Sequence, residues 1–103
     1  MPRNRLPNRR PSETFNVECC GLNYTCTISR RRGGQVTEIF LSNLKAGSQS
    51  DANARDSAVV CSIALQHGVP LETIRHALLR DARGVASSPL GVALDVVGGD
   101  EGA

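Results

Sequence analysis

From Ala58 to Leu71 the chain reads AVVCSIALQHGVPL, and few folds accommodate such a stretch. Ala58, Cys61 and Leu65 fall on one helical face, and Val59 and Ile63 on a second. The spacing predicts a helix that is apolar on two sides, and a helix of that kind has to be covered on more than one side. In a chain of 103 residues it becomes the centre of the core. Its end is also readable. Gln66 and His67 occupy the last turn, Gly68 suits the left-handed cap position, and Pro70 cannot continue the helix. Pro70 can open a second helix instead, because the N–H it lacks is unpaired there anyway.

Upstream the period changes from helical to two. Thr14 to Cys20 alternates, with Phe15, Val17 and Cys19 on one face. Gly21-Leu22-Asn23 reads as a turn, and Tyr24 to Arg30 alternates again around Tyr24, Cys26 and Ile28. Arg31-Arg32-Gly33-Gly34 marks a hairpin, and Gln35 to Ser42 forms a third strand. That strand has Ile39 and Leu41 on one face and Val36 and Phe40 on the other, so it is expected to be central or covered twice. Short links make the three strands an antiparallel meander. After the loop NLKAGSQS, Ser50 or Asp51 is the expected N-cap of the long helix. A second helix is expected from Pro70 to about Arg80, with Leu71, Ile74 and Leu78 as its stripe. A third is expected from Pro89 to Val97, capped by Ser88, with Leu90, Leu94 and Val97 on one face. Strands followed by helices give an α+β fold: a three-stranded antiparallel meander with two to three helices packed on one face. The expected core is Ile28, Ile39, Leu41, Val59, Ile63, Leu65, Leu71, Ile74 and Leu78.

The length allows one domain, expected over residues 14–97. Residues 1–13 read as a disordered basic tail and residues 98–103 as a flexible acidic one. Charge is uneven: residues 1–32 hold seven Arg against Glu13 and Glu18, while the rest holds five basic residues against eight acidic. The opening MPRNRLPNRRPSE is charged without a following apolar run, so it does not read as a secretory signal. No apolar run is long enough to span a membrane. Cys19, Cys20, Cys26 and Cys61 form no C-x-x-C pair, and Cys19 and Cys20 on a strand would point to opposite faces. Reduced thiols in a cytoplasmic protein are the expectation, with no metal and no cofactor in the chain.

Two groups of residues could carry binding chemistry. Asn43, Lys45, Gly47 and Ser48 lead into the long helix, with Arg55 one turn inside it. Unpaired N–H groups at a helix start favour an anion, and Lys45 and Arg55 would add charge, which suits a phosphate or a nucleotide. The spacing is not that of a P-loop, and Asp51 and Asp56 oppose an anion. An ordinary capped helix start is the alternative reading of the same residues. Arg30, Arg31 and Arg32 sit at the hairpin tip, either as a solvated turn or as a contact for an acidic partner or nucleic acid. His67 reads as a cap for helix carbonyls and His76 as surface. No Ser–His–Asp or Cys–His set can be assembled, so no catalytic residue is named.

Three segments in this order, EIFLSNLKAGSQSD, SIALQHGVPLETI and SSPLGVALDVV, resemble the TSCPD domain. That module occurs at the C-terminal end of cobalamin-dependent ribonucleotide reductases and as short free-standing proteins. The similarity runs from Phe15 to Val97. The resemblance implies a link to an enzyme that generates a thiyl radical with adenosylcobalamin in a large barrel and receives electrons through a cysteine pair. A chain of this length holds neither the barrel nor the corrin. What it implies here is an accessory, non-catalytic role in deoxyribonucleotide synthesis, binding a nucleotide or the large chain of a reductase. An independent homo-oligomeric nucleotide binder is the second reading. A nucleic-acid binder acting through the Arg-rich tail and hairpin is the third, and no membrane partner is expected.

Overall fold

The computed structural model describes residues 12–43 and 48–102, with side chains through residue 98. The expectations for the basic tail up to residue 11, and for Lys45 and Gly47, lie outside the described residues. The elements run β1 (Ser12–Cys19), β2 (Leu22–Arg30), β3 (Val36–Asn43), α1 (Gln49–Gln66), α2 (Leu71–Ala77) and α3 (Pro89–Gly102). The sheet is antiparallel in the order β1-β2-β3, so the fold is α+β as expected. β2 is central, and β3 is an edge strand rather than the central one that its apolar residues suggest.

The period-two pattern sorts the sheet into two faces. Val17, Cys19, Tyr24, Cys26, Ile28, Ile39 and Leu41 are buried against the helices. The other face is polar along β1 and β2, where Thr14 Oγ1 lies 3.1 Å from Thr27 Oγ1 and Thr25 donates to Asn16 Oδ1 at 3.3 Å, and carries Phe40 on β3. α1 packs against β3 and α3 against β1, while α2 packs on α3. The helices supply Ala54, Ala58, Cys61 and Leu65 from α1, and Leu90, Ala93, Leu94 and Val97 from α3. With little aromatic volume, this core closes by letting alanines bring helix and sheet close together.

Several boundaries differ from expectation for local reasons. The β1–β2 turn is Cys20-Gly21, not Gly21-Leu22-Asn23, since Cys19 pairs with Leu22. Both turn residues have positive φ, +55° at Cys20 and +80° at Gly21, as a two-residue hairpin of type I′ requires. The N-cap of α1 is Ser48 rather than Ser50 or Asp51: Ser48 Oγ accepts the Asp51 N–H at 3.0 Å. α1 ends as read, in a Schellman motif. Gly68 has φ +93°, the Val69 N–H reaches Ala64 O at 3.0 Å, and the Gly68 N–H reaches Leu65 O at 3.1 Å. Pro70 is the cap residue of α2, not its first helical residue.

α2 stops at Ala77 instead of continuing to Arg80. Arg80 is drawn away from the helix path by Asp95 on α3, through bonds of 2.6 and 2.8 Å. Asp81 then closes a tight loop by accepting the N–H groups of Arg83 and Val85 at 2.8 and 3.0 Å. Ser88 caps α3 as expected, with its Oγ accepting the Gly91 N–H at 3.2 Å, and α3 runs on past Val97.

The core expectation is half right. Ile28, Ile39, Leu41 and Leu65 are buried, and Leu71, Ile74 and Leu78 are partly buried against the cluster. Val59 and Ile63 are not in the core. They are 53% and 52% exposed, so α1 has one covered apolar face and one open face.

The Asp95 network gives the first prediction. Hydrogen bonds from Arg80 and then Arg75 lower the Asp95 carboxyl from 3.8 to about 2, against an opposing effect of burial. A carboxyl lowered in the folded state adds stability that is complete above its unfolded pKa and lost as pH falls through the folded value. Unfolding midpoints in urea should therefore fall between about pH 4 and pH 2 in the wild type, with this group contributing on the order of 1–2 kcal/mol after solvent screening. Asp95→Asn should flatten that limb; an identical acid limb would assign the loss to other carboxyls.

Candidate functional site

The candidate site is set by how α1 meets the sheet. An edge strand presents backbone N–H and C=O groups with no neighbouring strand to take them. Here α1 supplies the partners from one polar stripe at helical spacing. Ser62 Oγ accepts the Ile39 N–H at 2.9 Å and donates to Ile39 O at 3.0 Å. Gln66 Nε2 donates to Thr37 O at 3.1 Å, and Asp51 Oδ1 accepts the Asn43 N–H at 2.9 Å. These bonds fix the rotation of α1 about its own axis. Ala54, Ala58, Cys61 and Leu65 then turn inward, and Val59, Val60 and Ile63 are left outside.

Beside them stands Phe40, on the outward side of β3 and 49% exposed. Phe40, Val59 and Ile63, with Glu38, Ser62 and Gln66, line an open groove of about 460 Å³. The guanidinium of Arg55 lies 5.4 Å from the centroid of the Phe40 ring, within cation–π range. The groove gathers Phe40, Val59 and Ile63, three of the four exposed large apolar residues on α1 and β3, Val60 being the fourth. The signal lies in the second apolar face of α1, Val59 and Ile63, which is open rather than covered as expected.

The residues expected to hold a phosphate are placed as follows. Asn43 ends β3, Ser48 caps α1 and Arg55 lies one turn inside. Asp51 joins all three: its backbone N–H goes to Ser48, its Oδ1 takes the Asn43 N–H, and its Oδ2 takes Arg55 Nε at 2.9 Å. Asp51 is buried, with its side chain only 6% exposed, while the Arg55 side chain is 45% exposed. The Arg55 charge is thus already matched by a carboxylate, and Ser48 already serves the helix start.

The arginine run is divided. Arg30 is tied into the hairpin, with Nε donating to Glu13 at 3.2 Å and NH1 to Gly34 O at 2.8 Å. Arg31 and Arg32 are exposed. Arg31 also lines a cleft of about 560 Å³ with Gln35, Gln66, His67, Pro70 and Glu72, between the β2–β3 hairpin and the α1–α2 break. His67 Nδ1 lies 2.9 Å from Ile63 O, the carbonyl contact expected of a helix-end histidine. His76 is exposed beside Glu72, at 3.4 Å. Among the described residues, no three His, Cys, Asp or Glu side chains are grouped so as to hold a metal ion. No helix among them is long and apolar enough to cross a membrane.

All four cysteines are free. Burial, with the charge of Cys61 added, pushes the Cys26 thiol up to about 12, and burial pushes Cys61 up to about 11. Cys19 and Cys20 are not on opposite faces, as a continuous strand would require. Cys20 leaves the strand at the turn, and the Cys19 Sγ lies 3.7 Å from its Sγ.

Comparison with known proteins agrees with the resemblance. The chain is 34% identical over 70 residues to the vitamin B12-dependent ribonucleotide reductase of Agrobacterium fabrum (strain C58). The match takes in 68% of this chain and 6% of the reductase, so the chain spans a small part of that relative's length. No solved structure matches it. The TSCPD domain model matches residues 3–97, nearly the whole chain, and the protein therefore belongs to the TSCPD domain family.

Proposed function

We propose that this chain is an accessory, non-catalytic module associated with a B12-dependent ribonucleotide reductase, and that it works by docking on the large reductase chain through the face formed by Phe40, Val59 and Ile63. The observation that carries the reading is that face. Three large apolar side chains, each about half exposed, gather on one groove. The related reductase supports the choice of partner, since there the matching stretch is a small part of a much longer chain.

The test is a binding titration of purified B12-dependent reductase against immobilised wild type and the Val59→Asp/Ile63→Asp double variant. Affinity should fall at least tenfold in the variant, which is about 1.4 kcal/mol, with the melting temperature kept because both positions are half open. Equal affinity in the two proteins overturns the docking face. A wild type that binds no reductase and sediments as a dimer moves the same face to a homo-oligomer.

A nucleotide at the start of α1 is the second reading, favoured by the meeting of Asn43, Ser48 and Arg55 at one place. A phosphate would take Arg55 from Asp51 and would draw on Lys45 and the backbone at Gly47. Calorimetry with ribonucleotides and deoxyribonucleotides on wild type and Lys45→Ala/Arg55→Ala separates this reading from docking. Heat that is lost in the double variant supports the nucleotide; no heat in wild type removes it.

A further inference from the structure

We propose that Cys19 and Cys20 form a vicinal dithiol site for a soft, thiophilic centre, specifically a trivalent arsenical carrying one organic group. A type I′ hairpin needs positive φ at both turn residues, and Cys20 adopts it at +55° although only glycine, asparagine and aspartate do so readily. That conformation takes Cys20 out of the strand alternation and brings the sulfurs of two neighbouring residues to 3.7 Å. A trivalent arsenical is pyramidal, and two sulfurs bound to it at about 2.3 Å with an angle of about 100° are separated by about 3.5 Å, so the pair has to close by only about 0.2 Å to chelate it.

Access is asymmetric in a useful way. Cys20 is exposed, and Cys19 is buried, only 7% exposed. The exposed thiol meets the reagent first. The second bond then forms within the chain, where the local concentration of the Cys19 thiol is far above that of any competing thiol in solution. Burial, then the hydrogen bond and charge of Cys20, push Cys19 up to about 11, so the dithiol does not readily carry two negative charges. A centre that takes both sulfurs with loss of both protons removes that repulsion.

The step is a condensation without change of oxidation state. The arsenical R–As=O forms two As–S bonds, the two S–H bonds break, and the oxygen leaves with both protons as water. No oxidant or reductant is needed. Oxidation of the same pair to a disulfide fits less well. A disulfide joins Cα atoms usually 4.4–6.8 Å apart and draws the sulfurs to about 2.05 Å, whereas neighbouring Cα atoms across a trans peptide are about 3.8 Å apart. Closing the bond would distort the turn; bridging the sulfurs close to their present distance would not.

Among the described residues no third ligand-bearing side chain completes a group of three, which is why the site fits a centre that needs two sulfurs and not zinc held by four ligands. The other two thiols are poorer candidates. Cys26 is fully buried under the sheet and Cys61 is 3% exposed within α1.

The test uses phenylarsine oxide with the folded, reduced full chain, read by intact mass and by titration of free thiols. Wild type should take one arsenical per chain with loss of two thiols, and the adduct should survive excess glutathione but be removed by a small dithiol. Cys20→Ser should keep its melting temperature and hold no adduct that survives glutathione, and Cys61→Ala should behave as wild type. A glutathione-resistant adduct on Cys20→Ser, or a wild-type adduct that glutathione strips, overturns the proposal.

Discussion

Leu41→Ala is expected to lower stability by about 2–5 kcal/mol, while Ile63→Ala should change it by less than about 1 kcal/mol. Both residues are aliphatic, and both lie on apolar faces of the elements that meet at the β3–α1 contact. They differ in where those faces point. Leu41 is 0% exposed and lies under α1 in the cluster with Ile28, Ala58 and Cys61. Truncating it removes transfer energy and leaves a cavity, because neighbours held by sheet and helix bonds cannot collapse into it. Ile63 is 52% exposed beside the groove and leaves no cavity. For a domain of this size, Leu41→Ala should lower the melting temperature by roughly 10–25 °C, and Ile63→Ala by only a few degrees. Similar losses in both variants would mean that the second face of α1 is covered in solution, and sedimentation of the wild type would then show whether a second copy covers it.

This pair of variants also marks how far the sequence could be read. The three strands were legible because alternation at Phe15–Cys19, Tyr24–Ile28 and Ile39–Leu41 is a local signal. The end of α1 was legible because Gly68 and Pro70 act on their own backbone. The rotation of α1 was not, because it depends on which strand is the edge. Ser62 and Gln66 look like two polar residues in an apolar helix until β3 has no neighbour on one side; then they become its hydrogen-bond partners. The shortened α2 was hidden for a similar reason. Its stripe continues to Leu78, and the interaction that ends it, Arg80 with Asp95, spans elements that are separate in sequence. The turn at Cys20 was missed because cysteine carries no turn preference, and only the pairing register reveals its positive φ.

The candidate site shows the same division. That Asn43, Ser48 and Arg55 stand together follows from a strand, a short loop and a capped helix in succession. That Asp51 occupies the middle of them does not follow, because Asp51 reads from the sequence as a possible N-cap, with its carboxylate serving the start of its own helix. In the structure one oxygen of that carboxylate reaches across to the end of β3.

Asp51 therefore carries the second large effect. Asp51→Ala should cost about 2–3 kcal/mol, because it removes the acceptor for the Asn43 N–H in a buried position together with the counter-charge of Arg55. Asp51→Asn should fall between, since an amide oxygen can still accept from Asn43 but brings no charge. Arg55→Ala should cost less than about 1 kcal/mol: its side chain is 45% exposed, and a pair screened by solvent contributes little. The order Ala, then Asn, then the Arg55 variant follows if the carboxylate is first a clamp between β3 and α1 and only second an ion-pair partner. Amide exchange gives a local reading of the same clamp. Exchange at Asn43 should quicken in Asp51→Ala well before exchange at Cys26 or Ile28 in the central strand, where both flanking strands still supply bonds. If Arg55→Ala is as damaging as Asp51→Ala, the ion pair and its contact with Phe40 hold the corner instead. In that case any partner that displaces Arg55 would loosen the start of α1, and denaturant titration in the presence and absence of that partner would detect it.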